Sequence, residues 1–272
     1  MLRRFAPLVA DLWQHRRLLW QFTLRNVELR HKGSHLGLVW SFLGPLLMLG
    51  LYVLVFGFIF DGKLKADAAE ESRVDYALAV FLGLAIHHFL AEVMTLSPTI
   101  VVAQPNFVKK VVFPLAILPA AGVGAALVHF LITLGLVFLG ALLAGSPVAW
   151  GTLAWLPVIL LPLVLGALGL GFLFSSIGVF WRDLVQIAQF LSLALLFASA
   201  VFYPVAKIPA EAWTYLRFNP LIHWIEEARH VAFWGHPPSP THVAYTYAVS
   251  LGLFAAGGWV FQKLRSSFAD VL

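Results

Sequence analysis

His223, Glu226, Glu227 and His230 fall at i, i+3, i+4 and i+7, so on a helix several of them share one face. Imidazoles and carboxylates gathered in that way can ligate a metal ion. The order His-Glu-x-x-His does not occur, and a solvated polar helix face accounts for the same four residues, so no metal is assigned to them. Gly57-x-x-x-x-Gly62-Lys63 imitates the opening of a phosphate-binding loop, but Leu64 stands where Ser or Thr must ligate magnesium. The string also ends an apolar run instead of joining a strand to a helix. ATP hydrolysis is therefore not expected in this chain. His88 and Glu92 lie four residues apart inside an apolar stretch, where they can pair with one another. An ionisable group in such a place marks a functional site by default: a proton relay, or more simply a helix-packing pair. No nucleophile and base of recognisable spacing occur elsewhere. With no cysteine, disulfides, thiolate chemistry and Cys-based zinc sites are excluded. The sequence thus assigns no catalytic residue, bound cofactor or metal ligand to the chain.

The elements that must hold these groups follow from composition. Of 272 residues, 61% are hydrophobic and 11% charged, with a mean hydropathy of +0.87. Soluble domains carry about 45–50% apolar and about 25% charged residues. So little polar area cannot coat a soluble surface, and lipid must be the solvent. The net charge of +5 does not point to nucleic acid, because the cations cluster at the ends of apolar runs. There they act as topology signals. The first apolar run begins near Leu36 behind a basic stretch, so no cleavable signal peptide is expected.

A membrane span needs about 20 mostly apolar residues. Six runs satisfy this: about Leu36–Phe60, Tyr76–Val102, Phe113–Leu143, Thr152–Phe180, Leu184–Tyr203 and Val243–Phe261. The fold class is therefore all-α and integral to the membrane, as a single transmembrane domain over 1–272. Gly122, Gly124, Gly166, Gly169 and Gly171 would let its helices approach closely. From Pro7 to Lys32, Leu12, Leu19, Phe22 and Leu29 recur near helical spacing among arginines and tryptophans, which predicts an amphipathic helix in the membrane interface. From Pro204 to Pro240 the chain is rich in Trp and Phe, and its apolar stretch Pro220–Trp234 is too short to cross. A re-entrant or interfacial outer-face helix is expected. Six spans put both termini on one side, and Lys and Arg favour that side by about two to one, which makes it cytoplasmic.

Four stretches in register resemble type-2 ABC exporter permeases that move polysaccharides. The first is LRNVELRHKGSHLGLVWSFLGPLLMLGLYVLVFGFIF, where Arg30, His31, Lys32, Gly33, Ser34, Leu36, Gly37, Trp40 and Pro45 match the family's basic string ahead of its first span. The second, PNFVKKVVFPLAILP, is similar to the coupling segment between the second and third spans. The third is WRDL, with Arg182 and Asp183. The fourth is FYPVAKIPAEAWTYLRFNPLIHWIEEARHVAFWG, with Asn219, Pro220, Leu221, Glu226 and Arg229 in the outer-face pattern. Asn26 departs from a frequent Asp, and His31 from the commoner Tyr.

The resemblance implies one half of a homodimeric exporter worked by two separate ATP-binding subunits, which would hold the ATP and magnesium. Gln104–Phe113 would dock into that partner through Gln104, Pro105, Asn106, Phe107, Lys109 and Lys110. Arg25, Arg30 and Lys32 would receive the phosphate or pyrophosphate head of a lipid-linked glycan, since cations at an interface attract such groups. Tyr52, Phe56, Phe190, Phe197 and Tyr203 would line the glycan path, because aromatic rings meet sugar C–H faces. Trp213, Tyr215, Trp224, Glu226 and Arg229 would form an outer gate. The expected cargo is an undecaprenyl-linked O-antigen-type glycan carried across the inner membrane, with capsular polysaccharide or a teichoic-acid-like polymer as alternatives. A drug or small-lipid exporter, and a proton-coupled transporter resting on Glu92, are the rivals from other classes.

Overall fold

The computed structural model describes residues 6–30, 33, 35–59, 64, 72–109 and 113–272. Lys32, Lys110 and the Gly62–Lys63 pair lie outside these residues, as does the side chain of Phe56. The described chain is helical without a strand. In order, the helices are α1 (Ala6–Gln14), α2 (Arg16–Arg30), α3 (Trp40–Tyr52), α4 (Arg73–Ile100), α5 (Pro105–Lys109), α6 (Ile117–Ala144), α7 (Trp150–Leu153), α8 (Leu156–Phe180), α9 (Leu184–Phe197), α10 (Ala210–Leu216), α11 (Pro220–Arg229), α12 (Pro240–Leu264) and α13 (Phe268–Val271). Among the described residues α4, α6, α8 and the segment Pro240–Val271 are long and apolar enough to cross a bilayer. Two shorter apolar helices, Trp40–Val55 and Leu184–Phe197, join them. With a hydrocarbon core and no water to satisfy the backbone, helices of this kind are the permitted spanning form.

Local chemistry starts and stops these helices. Ser72 caps α4 with a reciprocal pair: its hydroxyl accepts from the Asp75 N–H at 3.1 Å, while Asp75 accepts from the Ser72 N–H at 3.2 Å. Gly145, at φ 69°, ends α6 in the left-handed turn that glycine adopts without strain. Asn219 caps α11 ahead of Pro220, whose fixed φ suits a first helical turn. The first run continues from α3 into a π-helical stretch, Val53–Ile59.

The fifth span is shorter as a helix than its apolar run. α9 stops at Phe197 instead of reaching Tyr203, and 14 residues rise only about 21 Å. The carbonyls that would have continued it are taken from outside. Asn219 Nδ2 donates to the Ala198 carbonyl, and Arg229 donates to those of Ala200 and Val201. Ala200, at φ 52°, turns the chain away.

α4 is buried almost all round from Tyr76 to Leu90 and lies at the centre of the bundle, against α6, α8, α9 and α11. The five glycines do admit close neighbours. A Cβ on Gly124 would meet the Thr23 hydroxyl at 2.6 Å, one on Gly122 the Ile100 Cδ1 at 2.4 Å, and one on Gly171 the Val123 Cγ2 at 2.9 Å. Gly169 faces the α12 backbone at Leu253 and Phe254, and Gly166 faces Ser250. A second apolar cluster gathers Leu8 of α1, Phe107 and Phe113 of the expected coupling segment, Phe172 and Phe261, and Phe268 of α13. Both ends of the described chain therefore lie at the same end of the bundle as that segment.

Candidate functional site

Where α2, α4 and α6 meet, three ionisable side chains converge. α2 runs alongside α6, its Thr23 against Gly124 and its Arg30 against His129. This parallel course brings Arg30 to the level of Glu92, well inside α4. Arg30 Nη1 donates to Glu92 Oε1 at 2.5 Å and lies 2.6 Å from His129 Nδ1. His129 Nδ1 is 3.2 Å from the same Glu92 oxygen. Arg30 is 47% exposed, whereas Glu92 and His129 are 16% and 14% exposed. A carboxylate in the membrane thus has a guanidinium and an imidazole as partners, both from other helices, which is how such charges are tolerated.

The expected pairing of Glu92 with His88 does not form. Glu92 points to α2 and α6, and His88 instead faces a cavity of about 490 Å³ among α3, α4 and α6. Trp40, Pro45, Met48 and Phe130 give that cavity apolar walls, while Arg30, Glu92 and His129 lie along it. A second cavity of about 560 Å³ continues from the same three groups past Thr95 and Thr99 to Gln104, at the start of the expected coupling segment. Glu92, Thr95, Thr99 and Ala103 form its wall on one face of α4 and the turn beyond. The charged cluster therefore stands between two cavities. His129 was not singled out from sequence, although it is the one ionisable residue of α6 and so carried a signal of its own.

Of the coupling residues, Pro105, Asn106 and Lys109 are exposed, and Gln104 and Phe107 are half-buried. Phe107 stacks on Phe113 with centroids 4.6 Å apart, and Phe22 of α2 lies 5.5 Å from the first ring and 5.2 Å from the second. This three-ring contact ties α5 to the helix that ends in Arg30. Arg25 is exposed on α2, its guanidinium 5.6 Å from the centre of the Phe22 ring.

The glycan-path residues divide. Phe190 and Phe197 share the outer face of α9 and are 70% and 61% exposed. Tyr203 donates to the Phe197 carbonyl at 2.5 Å. Tyr52 packs towards α4, its ring 6.3 Å from Phe81. The outer-gate residues divide as well. Tyr215 is exposed and Trp213 half-buried, whereas Trp224 and Arg229 are enclosed in the bundle. Arg229 donates to the carbonyls of Ala79, Ala200 and Val201, and to Glu226 Oε1 at 3.0 Å. The His/Glu row of α11 disperses among separate partners too. Glu227 takes His242 at 2.6 Å, and His223 bonds the Arg217 carbonyl at 2.8 Å. Burial holds the His223 and His230 imidazoles below the ordinary histidine pKa, which favours their neutral forms.

Residues 17–233 match the family described as ABC-2 type transporter. The chain belongs to this family. It is a multi-pass membrane protein, as its apolar helices require. Among relatives of this ABC-2 type chain, the O-antigen export system permease protein RfbA of Myxococcus xanthus is 26% identical over 265 residues, covering 97% of this chain and 98% of the relative. The protein of the same name from Klebsiella pneumoniae is 25% identical over 255 residues, 94% and 95% of the two chains. A stretch of 66 residues is 30% identical to the polysialic acid transport protein KpsM of Escherichia coli, 24% of this chain and 26% of that one.

Proposed function

We propose that the chain is the transmembrane subunit of an ATP-driven exporter that carries a lipid-linked, O-antigen-type polysaccharide across the cytoplasmic membrane. The observation that carries this reading is its end-to-end similarity to the O-antigen export permeases, together with family membership. Two copies would form the conduit and two separate ATP-binding subunits would drive it. The chain itself makes and breaks no covalent bond. Capsular polysaccharide is the second reading, favoured by the shorter match to KpsM.

The geometry suits a motor acting from below. Closure of the ATP-binding subunits would press on α5, and the Phe107–Phe22–Phe113 contact would pass that displacement to α2. Rings packed at these separations transmit a shift instead of absorbing it, because a close-packed contact has little free volume. α2 in turn carries Arg30 at the charged cluster. Arg25, Arg30 and Lys32 would receive the phosphate head of the carrier, and the exposed face of α9 with Phe190 and Phe197 would meet the glycan. A proton-coupled mechanism has less support, since Glu92 has a charge partner within the chain.

Replacing Lys109 and Lys110 together by Glu tests the coupling. Surface glycan should be lost and ATPase stimulation abolished, while the amount of the membrane protein stays unchanged. Export at the normal level in that variant would refute the coupling role.

A further inference from the structure

The cluster at the junction of the two cavities has the composition of an anion site with its anion already in place. Arg30 Nη1 donates to one carboxylate oxygen of Glu92, as it would to a phosphate oxygen, and His129 Nδ1 lies 3.2 Å from that same oxygen. The carboxylate belongs to α4 and its two partners to α2 and α6, so the site can be vacated by a side-chain movement without unfolding a helix. On one side the cavity is walled by apolar residues of spanning helices, including Trp40, Met48 and Phe130. On the other it leads along Thr95 and Thr99 towards the coupling segment. That combination suits an amphiphile, with an anionic head at the cluster and hydrocarbon along the apolar wall.

We infer that Glu92 is an internal stand-in for a lipid-borne diphosphate, which displaces it from Arg30 and His129 when the carrier lipid binds. A diphosphate offers more acceptor oxygens and more charge than the carboxylate, so the exchange favours the lipid once it arrives. In its absence Glu92 compensates the Arg30 charge and closes the passage between the cavities. The identity of the lipid rests on the exporter reading above; the site rests on the geometry.

The test measures binding of undecaprenyl diphosphate, undecaprenol and inorganic pyrophosphate to the full chain in lipid nanodiscs. A competitor bound within the site lowers apparent affinity by the fraction of time it occupies it, so Glu92→Gln should lower the Kd for undecaprenyl diphosphate by about tenfold. Arg30→Gln should raise it by about as much, because the charged donor is gone. Undecaprenol, without phosphate, should respond to neither change. Unchanged or weaker diphosphate binding by Glu92→Gln, in protein that stays monodisperse, overturns the proposal. So does an equal response from undecaprenol. Pyrophosphate bound as tightly as the lipid would assign the site to a free anion and overturn the lipid-borne source. Should Glu92→Gln fail to fold, Glu92→Asp withdraws the carboxylate by one methylene. It should still tighten diphosphate binding, and failure to do so counts equally against the proposal. The exporter reading fails separately, if a strain lacking the chain keeps its surface polysaccharide whatever these affinities are.

Discussion

Arg229 shows how far a residue's role can move once its surroundings are known. In sequence it closes an N-P-L…E…R pattern in an outer-face segment, where an exposed gate is a natural expectation. In the structure it is 0% exposed and satisfies carbonyls from two separate parts of the chain, while Glu226 supplies its countercharge. Gly83 leaves it the room, since a Cβ there would lie 2.7 Å from Arg229 Nη2. The side chain staples the outer segment to α4 and to the turn after α9. Arg229→Ala would strand those carbonyls and Glu226, at a cost of about 3–5 kcal/mol. Arg229→Lys should recover only part of that cost, because an ammonium cannot reproduce the planar fork. Unfolding midpoints in detergent check both.

Among the elements, the packing of α2 on α6 was the least legible. Its Leu, Phe and Trp residues mark an amphipathic helix, but periodicity alone does not distinguish a lipid surface from a neighbouring helix as the partner of the apolar face. The structure shows that Leu19 and Phe22 of α2, with Leu12 of α1, pack onto the protein, whereas Trp13 of α1 and Trp20 and Leu29 of α2 remain exposed. The glycines of α6 and α8 were more informative, because their use depends only on lacking a Cβ. A direct measurement of the α2–α6 contact is open, since the native chain has no cysteine to interfere. A Cβ on Gly124 would lie 3.4 Å from the Thr23 Cβ, close to the roughly 3.5–4.5 Å of a disulfide. Thr23→Cys with Gly124→Cys should therefore crosslink when an added thiol oxidant takes up the two electrons, read as an intact-mass loss of about 2 Da, the two thiol hydrogens, per chain. Neither single variant should do so. A pair that stays reduced would place α2 elsewhere.

At the scale of the whole molecule, the cluster shared by α1, the coupling segment and α13 places both ends of the described chain at one end of the bundle. The Arg229 staple holds the outer segment at the opposite end of α4, near Ala79. The excess of Lys and Arg on the first side predicts that it is the cytoplasmic one. Single cysteines in exposed positions test this orientation. Glu211→Cys should be labelled by a membrane-impermeant maleimide in cells whose outer envelope is permeable to the reagent but whose inner membrane is intact. Asp270→Cys should be labelled only after lysis. The reverse pattern would invert the topology.

Composition and run length were sufficient for the membrane and the all-α class, because transfer of apolar area and backbone satisfaction in lipid depend on local content alone. The family resemblance was legible for a related reason: its strings are contiguous. The charged cluster was not. Arg30, Glu92 and His129 are 62 and 37 residues apart in successive steps, and the nearer partner available to Glu92 in sequence, His88, is not the one it takes. The early end of α9 was hidden likewise, because its carbonyls are claimed by Asn219 and Arg229 from beyond the helix. Periodicity reports what a segment can bury. Which distant donor reaches an acceptor is decided by helix packing, and only the tertiary structure contains it.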